Sequence, residues 1–277
     1  MPTPSLFLPR QSLQTLLQDL LGRARQDPHP GSLPLSIGGK RCGWLFPAAA
    51  KALAGIPDVI ISATEAHIGP ILVRGPRLNE LLAEAANALR AAGCAPGWRN
   101  ELLDVWSDAV PDVTCLGVIE RGVVRPLGLV TRAVHLNAWS GDNHLWVARR
   151  ALSKATDPGM WDTLVGGLIA SQEPPDLALV RESDEEAGLE PDDISQRTPL
   201  RTITRMLRQV REGYQAEDVL TCECVLAPHV TPCNRDGEVM DIQRLPPETV
   251  LGMLLEGAFT IEASIVITQD LLARAVG

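Results

Sequence analysis

The sequence predicts an α+β fold, and three observations lead to this class. From about residue 126 the chain shows β-rich segments around one clearly bounded helical segment, residues 175–187. Residues 218–227 alternate with the period of two that a strand requires. The first third combines a helical segment rich in Ala, Leu and Glu with short apolar segments. We therefore expect a smaller α+β domain over residues 1–125 and a larger domain over residues 126–277.

The first third begins with a predicted amphipathic helix. Its leucines fall largely on one helical face, and a Pro/Gly break over residues 27–34 follows them: Leu6, Leu13, Leu16, Leu17, Leu20 and Leu21. Short strands are predicted at residues 59–62 and 71–73. A helix over residues 78–92 ends before a glycine.

The larger region is predicted to place strands around the helix at residues 175–187. Strands at 130–138 and 144–150 form a hairpin through Ser140-Gly141-Asp142-Asn143. Pro174-Pro175 suits the helix start, because the missing amide hydrogen costs nothing in the first turn, and Gly188 suits the position after its end. Further elements are strands at 197–210, 218–227 and 239–244 and closing helices at 247–256 and 260–275.

Composition narrows the function classes. The 277 residues are 45% apolar, which is enough for a full core, and the formal charge of -9 gives no reason to expect a nucleic-acid partner. No apolar run reaches the roughly 18–20 residues of a bilayer span, and the amino terminus lacks a signal-peptide pattern. We therefore expect a cytoplasmic, soluble protein.

The six cysteines are expected to be reduced thiols, because they are scattered thinly through a long chain. Cys222, Cys224, His229 and Cys233 offer ligand types suited to zinc. However, Cys222 and Cys224 fall on one face of a predicted strand between leucines, which favours core packing.

Three carboxylates crowd one stripe of the helix at 175–187. Glu182, Glu185 and Glu186 have the spacing i, i+3 and i+4, so their side chains are neighbours and repel one another unless a positive group lies between them. A Glu-rich helix face is most often solvated surface. The residues around this helix face favour a bound divalent cation instead: Gly167, Glu173, Arg181 and Gly188.

The spacing Gly167-x5-Glu173-x7-Arg181-Glu182-x2-Glu185-Glu186-x-Gly188 resembles the signature of the Nudix hydrolase family at all seven of its fixed polar and glycine positions. One position departs from the family pattern. Ser183 stands where an aliphatic residue is usual, which we expect to alter helix packing and not the set of carboxylates.

The resemblance implies a Nudix α/β/α sandwich with a mixed sheet and hydrolysis of a phosphoanhydride bond. It makes Glu182, Glu185 and Glu186 metal ligands, together with the carbonyl of Gly166, and implies Mg²⁺ as the cofactor with Mn²⁺ as an alternative. It also implies that Arg181 orients the glutamates through charge-assisted hydrogen bonds. Glu173 would hold the loop and helix together.

Further residues are candidates for catalysis and substrate binding. Glu238 is the candidate second acid, as a ligand or a base, with Glu217 and Asp236 behind it. Arg150 and Lys154 precede the signature and are candidates for contacting the diphosphate; Gly167 is grouped with them as a substrate contact. Arginines and lysines in loops are usually solvated, so this alternative stays open.

The likeness extends to a Nudix subgroup in which an amino-terminal domain of unassigned role precedes the hydrolase and which is related to the Nudix part of fungal thiamine pyrophosphokinase fusions. It is carried by residues 37–47, 97–101, 134–137, 146–167 and 236–239. This resemblance implies hydrolysis of thiamine diphosphate, or of damaged analogues, to the monophosphate. Trp139, Trp146 and Trp161 are candidates for contacting its cationic ring, although core packing is the commoner role.

Three alternatives stay open. The substrate could be another nucleoside diphosphate linked to a second group, such as ADP-ribose, a dinucleotide or a nucleotide sugar. It could also be an isoprenoid diphosphate that is isomerised, although no protonating pair is identified. Alternatively, the chain could be a non-catalytic module that binds such a ligand. The expected partner is a small-molecule diphosphate, with no nucleic acid and no membrane, and a homodimer is left open.

Overall fold

The computed structural model describes residues 8–108 and 113–275. Leu6 of the predicted first helix lies outside them. The helices are α1 (Arg10–Arg23), α2 (Pro47–Leu53), α3 (Gly75–Ala91), α4 (Pro175–Ala187), α5 (Pro247–Leu255) and α6 (Ile261–Arg274). The strands are β1 (Leu33–Ile37), β2 (Lys40–Leu45), β3 (Val59–Ile61), β4 (Ala66–Ile68), β5 (Leu102–Trp106), β6 (Cys115–Glu120), β7 (Val130–Ser140), β8 (Leu145–Arg150), β9 (Trp161–Thr163), β10 (Val165–Leu168), β11 (Arg201–Val210), β12 (Gly213–Leu226) and β13 (Val239–Leu245).

The main sheet is mixed and carries helices on both faces. Its strand order is β11-β12-β7-β8-β13, with β10 beside β7 and β9 beside β8; β12 and β7 run parallel and the other pairs are antiparallel. Because side chains alternate along a strand, Val134 and Leu136 of β7 pack with α4, whereas Trp139 packs with α5 and α6. The predicted α/β/α sandwich is confirmed.

A second, smaller sheet forms the amino-terminal region. Its order is β2-β1-β4-β3, and α2 and α3 pack on it in one apolar core. The hairpin of β5 and β6 pairs separately and packs against α3. Helix α1 packs instead against α6 of the larger domain. Leu13 lies in one apolar cluster with α6, and Leu20 shares another with Ile265. The boundary near residue 125 stays a prediction.

Most predicted elements are confirmed, with shifts of a few residues at their ends. The strand predicted at residues 71–73 is wrong: the chain turns there, Leu72 adopts a φ of 69°, and its amide donates to the carbonyl of Gly38. The strand in this region is β4, which forms hydrogen-bonded pairs with β1 and β3. Cys222 and Cys224 are buried in the core beside α4, as predicted.

Among the described residues, no helix is both long enough and apolar enough to cross a membrane.

Candidate active site

Helix α4 positions the three glutamates and the arginine of the signature. It begins at the predicted prolines and ends at Gly188, which takes the left-handed conformation with a φ of 63°. Arg181 donates from Nη1 to Oε1 of Glu182 at 2.7 Å and to Oε2 of Glu185 at 3.1 Å. Its Nε and Nη2 each lie 2.9 Å from an oxygen of Glu173. Arg181 therefore holds the first two glutamates from one side.

Glu173 ties the loop before α4 to that helix. Besides its two contacts with Arg181, its Oε2 accepts the amide of Ala170 at 3.0 Å. The hydrogen bonds of Arg181 hold the pKa of Glu173 below its usual value. Arg181 also donates to the carbonyl of Leu168 at 3.2 Å. The end of β10 and the helix are thus joined through one charged cluster.

Glu182 lies against the backbone of β10. A Cβ on Gly167 would overlap the Glu182 carboxylate, so this close approach requires glycine. Burial raises the pKa of Glu182, and the charges of Arg181 and then of Arg121 act in the opposite direction. The signature glycine therefore makes room for a glutamate.

Glu186 is the most enclosed acid of the signature. Only 6% of the residue is exposed, and its Oε2 accepts the amide of Gly166 at 2.9 Å. Burial raises the pKa of Glu186 to about 8, against the opposing influence of Lys154 and of the Gly166 amide. A nearby cation would stabilise the ionised form of such a buried carboxylate.

The loop after β12 brings two more acids to Glu186. The amide of Cys233 donates to the carbonyl of Ala187 at 2.9 Å, and the amide of Arg235 donates to that of Glu185 at 3.2 Å. The end of α4 therefore fixes this loop. A side chain at Gly188 would crowd the loop, since its Cβ would lie 2.8 Å from Sγ of Cys233.

Oxygen atoms of three acids converge at this point. Carboxylate oxygens of Glu186, Asp236 and Glu238 all lie within 4.8 Å of one another. Asp236 accepts the amide of Glu238 at 2.7 Å, which fixes the turn that carries both. A donor set made of carboxylates alone suits a hard divalent cation such as Mg²⁺. We call Glu186, Asp236 and Glu238 the acidic centre.

Lys154 is the cation already present in the acidic centre. Its Nζ lies 3.6 Å from Oε1 of Glu186 and also pairs with Glu238. Burial would raise the pKa of Glu238, but the hydrogen bond and charge of Lys154, and the charges of Arg99 and Arg121, outweigh it and hold this pKa below its usual value. A metal ion would compete with the amine of Lys154 for these acids, and a phosphate oxygen would compete with the acids for the amine.

Arg150 lies next to the centre but already has partners. Its Nη1 contacts Oδ2 of Asp162 at 2.9 Å, and its Nε and Nη2 donate to the carbonyl of Thr156 at 3.2 and 3.0 Å. These contacts brace the loop that carries Lys154. In this arrangement the guanidinium of Arg150 is engaged by Asp162 and Thr156, and its predicted contact with substrate stays a prediction.

The structure separates the other candidates from the acidic centre. Glu217 lies on β12, where its Oε2 accepts the hydroxyl of Thr131 at 3.0 Å, and it is not one of the three converging acids. Trp139 is buried in the core, and its Nε1 donates to Asp270 at 2.8 Å, so it is not available to contact a substrate ring. Glu185 is half-exposed and pairs with Arg181.

Glu182 and Glu185 are therefore gathered around Arg181, whereas Glu186 belongs to the acidic centre. The predicted ligand set of Glu182, Glu185, Glu186 and the Gly166 carbonyl stays a prediction. From the sequence alone, Asp236 ranks behind Glu238 as a candidate acid, and Arg99 has no predicted role. The signal for Arg99 was the block at residues 97–101, which belonged to the resemblance without an assigned chemistry.

Comparison with known proteins places the segment that carries this site in a family. Residues 129–265 match the NUDIX domain family. This segment is a Nudix domain. The chain is 26% identical over 249 residues to Nudix hydrolase 24, chloroplastic, of Arabidopsis thaliana, covering 87% of this chain and 67% of that protein. It is 28% identical over 197 residues to Nudix hydrolase 20, chloroplastic, of the same plant, covering 70% of this chain and 52% of that protein.

A solved structure also resembles the chain. The crystal structure of DR0079 from Deinococcus radiodurans has a TM-score of 0.47 and 22% identity, covering 62% of this chain and 99% of that one. The family match and the two hydrolase relatives bear out the prediction of a Nudix hydrolase acting on phosphoanhydride bonds. The Nudix domain contains α4, the acidic centre, Lys154 and Arg150, and the amino-terminal region lies outside it.

Proposed function

We propose that this Nudix protein hydrolyses the phosphoanhydride bond of a small organic diphosphate with Mg²⁺ or Mn²⁺ as cofactor. The observation that carries the proposal is the acidic centre, in which buried Glu186 meets Asp236 and Glu238 beside Lys154. Unpaired, such acids would repel one another, so the site is built for a positive partner.

In this proposal the chain's own residues divide the work. Glu186, Asp236 and Glu238 hold the cation, and the amide of Gly166 fixes one oxygen of Glu186. Arg181 keeps Glu182 against Gly167, where it flanks the centre. When bound, Mg²⁺ neutralises phosphate oxygens and lowers the pKa of a bound water.

Lys154 would exchange partners during binding. Its amine pairs with two acids of the centre, Glu186 and Glu238. Once those acids hold a cation, the same amine is free to contact a phosphate oxygen, as a lysine does in many phosphate sites. Lys154 is therefore the substrate-binding residue that the proposal places closest to the reacting bond.

For the substrate we propose thiamine diphosphate, or a damaged analogue, cleaved to the monophosphate. The support is the likeness of residues 37–47, 97–101, 134–137, 146–167 and 236–239 to the Nudix part of fungal thiamine pyrophosphokinase fusions. A cavity of about 260 Å³ between β5 and the loop before α4 is large enough for a small ring, and Trp106, Asp104 and Glu173 line it. Arg132 also lines this cavity, with its guanidinium 5.7 Å from the centre of the Trp106 ring, so the choice of substrate rests on the likeness of these segments and not on the charge of the cavity.

A substrate screen tests this proposal. Purified protein with Mg²⁺ is incubated with thiamine diphosphate, its oxidised analogues, ADP-ribose, dinucleotides and nucleotide sugars, and phosphate-ester products are quantified. We expect thiamine monophosphate and inorganic phosphate to form only with Mg²⁺ or Mn²⁺, and Glu186→Gln to abolish turnover while the fold persists. Tight binding with no turnover of any compound would support a binding module; faster turnover of ADP-ribose would reassign the substrate.

The cellular location and the ligand partner are also part of the proposal. We propose a cytoplasmic protein, whereas the names of both plant relatives place those proteins in the chloroplast. The ligand partner is a small-molecule diphosphate.

A further inference from the structure

The hairpin of β5 and β6 carries two arginines toward the acidic centre. The strands pair antiparallel with Leu102 opposite Glu120, so the residues just before β5 and just after β6 lie at the same end of the hairpin. Arg99 occupies the first position, and its Nη1 lies 3.6 Å from Oε1 of Glu238. Arg121 occupies the second. The amino-terminal region thus reaches the site of the Nudix domain.

Arg121 acts on the same acids from the other strand. Burial raises the pKa of Glu182, and after Arg181 the charge of Arg121 is the next influence that lowers it. Arg121 also contributes to the lowered pKa of Glu238, where burial opposes the combined effect of Lys154 and the two arginines. Arg121 lies at the same end of the hairpin as Arg99, and among the contacts of the described residues its side chain pairs with Glu101 and with neither of these acids.

The backbone around both arginines is braced. Glu120 is 5% exposed, and its Oε1 accepts the amides of Arg99 at 2.8 Å and Gly122 at 3.3 Å. Arg121 donates from its amide to the carbonyl of Glu101 at 2.8 Å and from Nη1 to Oε2 of Glu101 at 2.8 Å. A buried carboxylate that holds two amides fixes the position of the loop.

Side-chain contacts brace the same loop further. Trp98 donates from Nε1 to Oδ1 of Asn100 at 2.8 Å, and the guanidinium of Arg90 lies 4.3 Å from the centre of the Trp98 ring. Gly122 approaches this loop so closely that a Cβ there would lie 3.0 Å from the Gly97 carbonyl oxygen. The other residues of the block at 97–101 therefore hold the loop in place, and this loop presents Arg99.

The pair between Arg99 and Glu238 is easily exchanged. Their side chains are 48% and 39% exposed, and an ion pair as exposed as this one contributes little to stability. Glu238 belongs to the acidic centre, so a bound cation would take its carboxylate. Arg99 would then be a guanidinium with five donors and without another ion pair in the part of the chain that the structure describes, beside a site that binds a diphosphate.

We propose that Arg99 and Arg121 form a phosphate-binding subsite, through which the amino-terminal region completes the active site by holding the non-bridging oxygens of the substrate's diphosphate. The inference rests on the proposed function and deepens it. A chain with a formal charge of -9 must hold an anionic substrate with local positive groups, and a planar guanidinium matches two phosphate oxygens at once.

Binding of methylenediphosphonate, which cannot be hydrolysed at its bridge, tests the subsite directly. Its Kd is measured by calorimetry with Mg²⁺ for wild type, Arg99→Ala, Arg99→Lys and Arg121→Ala. We expect each alanine variant to bind at least about tenfold more weakly, and Arg99→Lys to lie between Arg99→Ala and wild type, because a charged hydrogen bond is lost or only partly replaced.

Arg77→Ala is the matched control. This exposed arginine of α3 pairs with Asp58 at 3.2 Å and Glu80 at 3.1 Å in the same amino-terminal region, so its removal should leave the Kd unchanged. The unfolding midpoint is measured for every variant, so that a loss of fold is separated from a loss of binding. With the best substrate of the screen, we expect KM to rise more than kcat falls.

The outcomes separate the two proposals. Wild-type binding and hydrolysis together with unchanged binding in Arg99→Ala and Arg121→Ala would overturn the subsite alone, leaving Arg99 as a counter-ion of Glu238. No binding of methylenediphosphonate by wild type would overturn the diphosphate site and the subsite that depends on it.

Discussion

The carboxylate of Glu182 occupies the space into which a Cβ on Gly167 would project. The two residues lie 15 positions apart in the sequence and belong to β10 and α4. Their contact explains why a glycine stands at this point: the backbone of the strand and an acidic side chain of the helix approach without any atom between them. The position of Glu182 therefore depends on the size of residue 167.

Gly167→Ala should lower Mg²⁺-dependent hydrolysis by about 100-fold, because Glu182 must move away from the site and a displacement of about 1 Å is enough for such a loss. Turnover of the best substrate from the screen is the measurement. Gly141→Ala is the control, since a Cβ at Gly141 meets nothing within 4 Å. Equal activity in both variants would contradict the role given to this contact.

The metal-free protein should lose stability as the pH rises, because of Glu186. Burial raises the pKa of Glu186 from an ordinary value of 4.5 to about 8. Between these values the folded protein keeps a proton that the unfolded chain has released, so the free energy of unfolding falls with increasing pH, by up to about 1.4 kcal/mol per pH unit.

The variant Glu186→Gln cannot ionise and should lack this contribution. Urea unfolding from pH 5 to pH 9 in the presence of EDTA measures both proteins. We expect the stability of the variant relative to wild type to increase up to about pH 8 and then to level off. A difference between the two proteins that is the same at every pH would show that Glu186 ionises normally.

Asp270→Ala should destabilise the protein by about 3–5 kcal/mol, because it leaves Arg274 as a buried charge without its partner. Oδ1 of Asp270 lies 2.7 Å from Nε of Arg274, and both side chains are 5% exposed. Asp19→Ala tests the same i, i+4 spacing on the surface. Asp19 and Arg23 are 63% and 59% exposed at 3.6 Å, so this change should cost less than about 0.5 kcal/mol. Similar losses in the two variants, measured by urea unfolding, would refute the importance of burial.

Ser183→Ala should stabilise the protein by about 1 kcal/mol. Ser183 is fully buried, and within the described residues its hydroxyl has no hydrogen-bond partner. Ser171→Ala is the contrasting variant, because the Ser171 hydroxyl donates to Asp104 at 2.8 Å and its removal should destabilise. Thermal and urea unfolding measure both. A loss of stability in Ser183→Ala would mean that the hydroxyl has a partner such as a water molecule.

Local signals in the sequence were sufficient for many elements. The paired prolines and Gly188 bound α4 at the residues predicted, and the hairpin between β7 and β8 turns at Ser140–Asn143. These features depend on neighbouring residues, whose geometry is restricted by backbone sterics and short-range hydrogen bonds. The segment at 71–73 has the apolar composition of a strand, yet Leu72 turns because its amide pairs with Gly38, a partner 34 positions away.

The sequence by itself determined the helix of glutamates, the glycine beside it and the family of the domain, because spacing along one helix and one turn already restricts which side chains are neighbours. Only the tertiary structure decided that Glu186 meets Asp236 and Glu238, that Arg181 gathers Glu182 and Glu185, and that Arg99 reaches the same place from the first third of the chain. These groups are up to 139 positions apart, and their meeting depends on how the sheet, α4 and the β5–β6 hairpin pack, which no local pattern encodes.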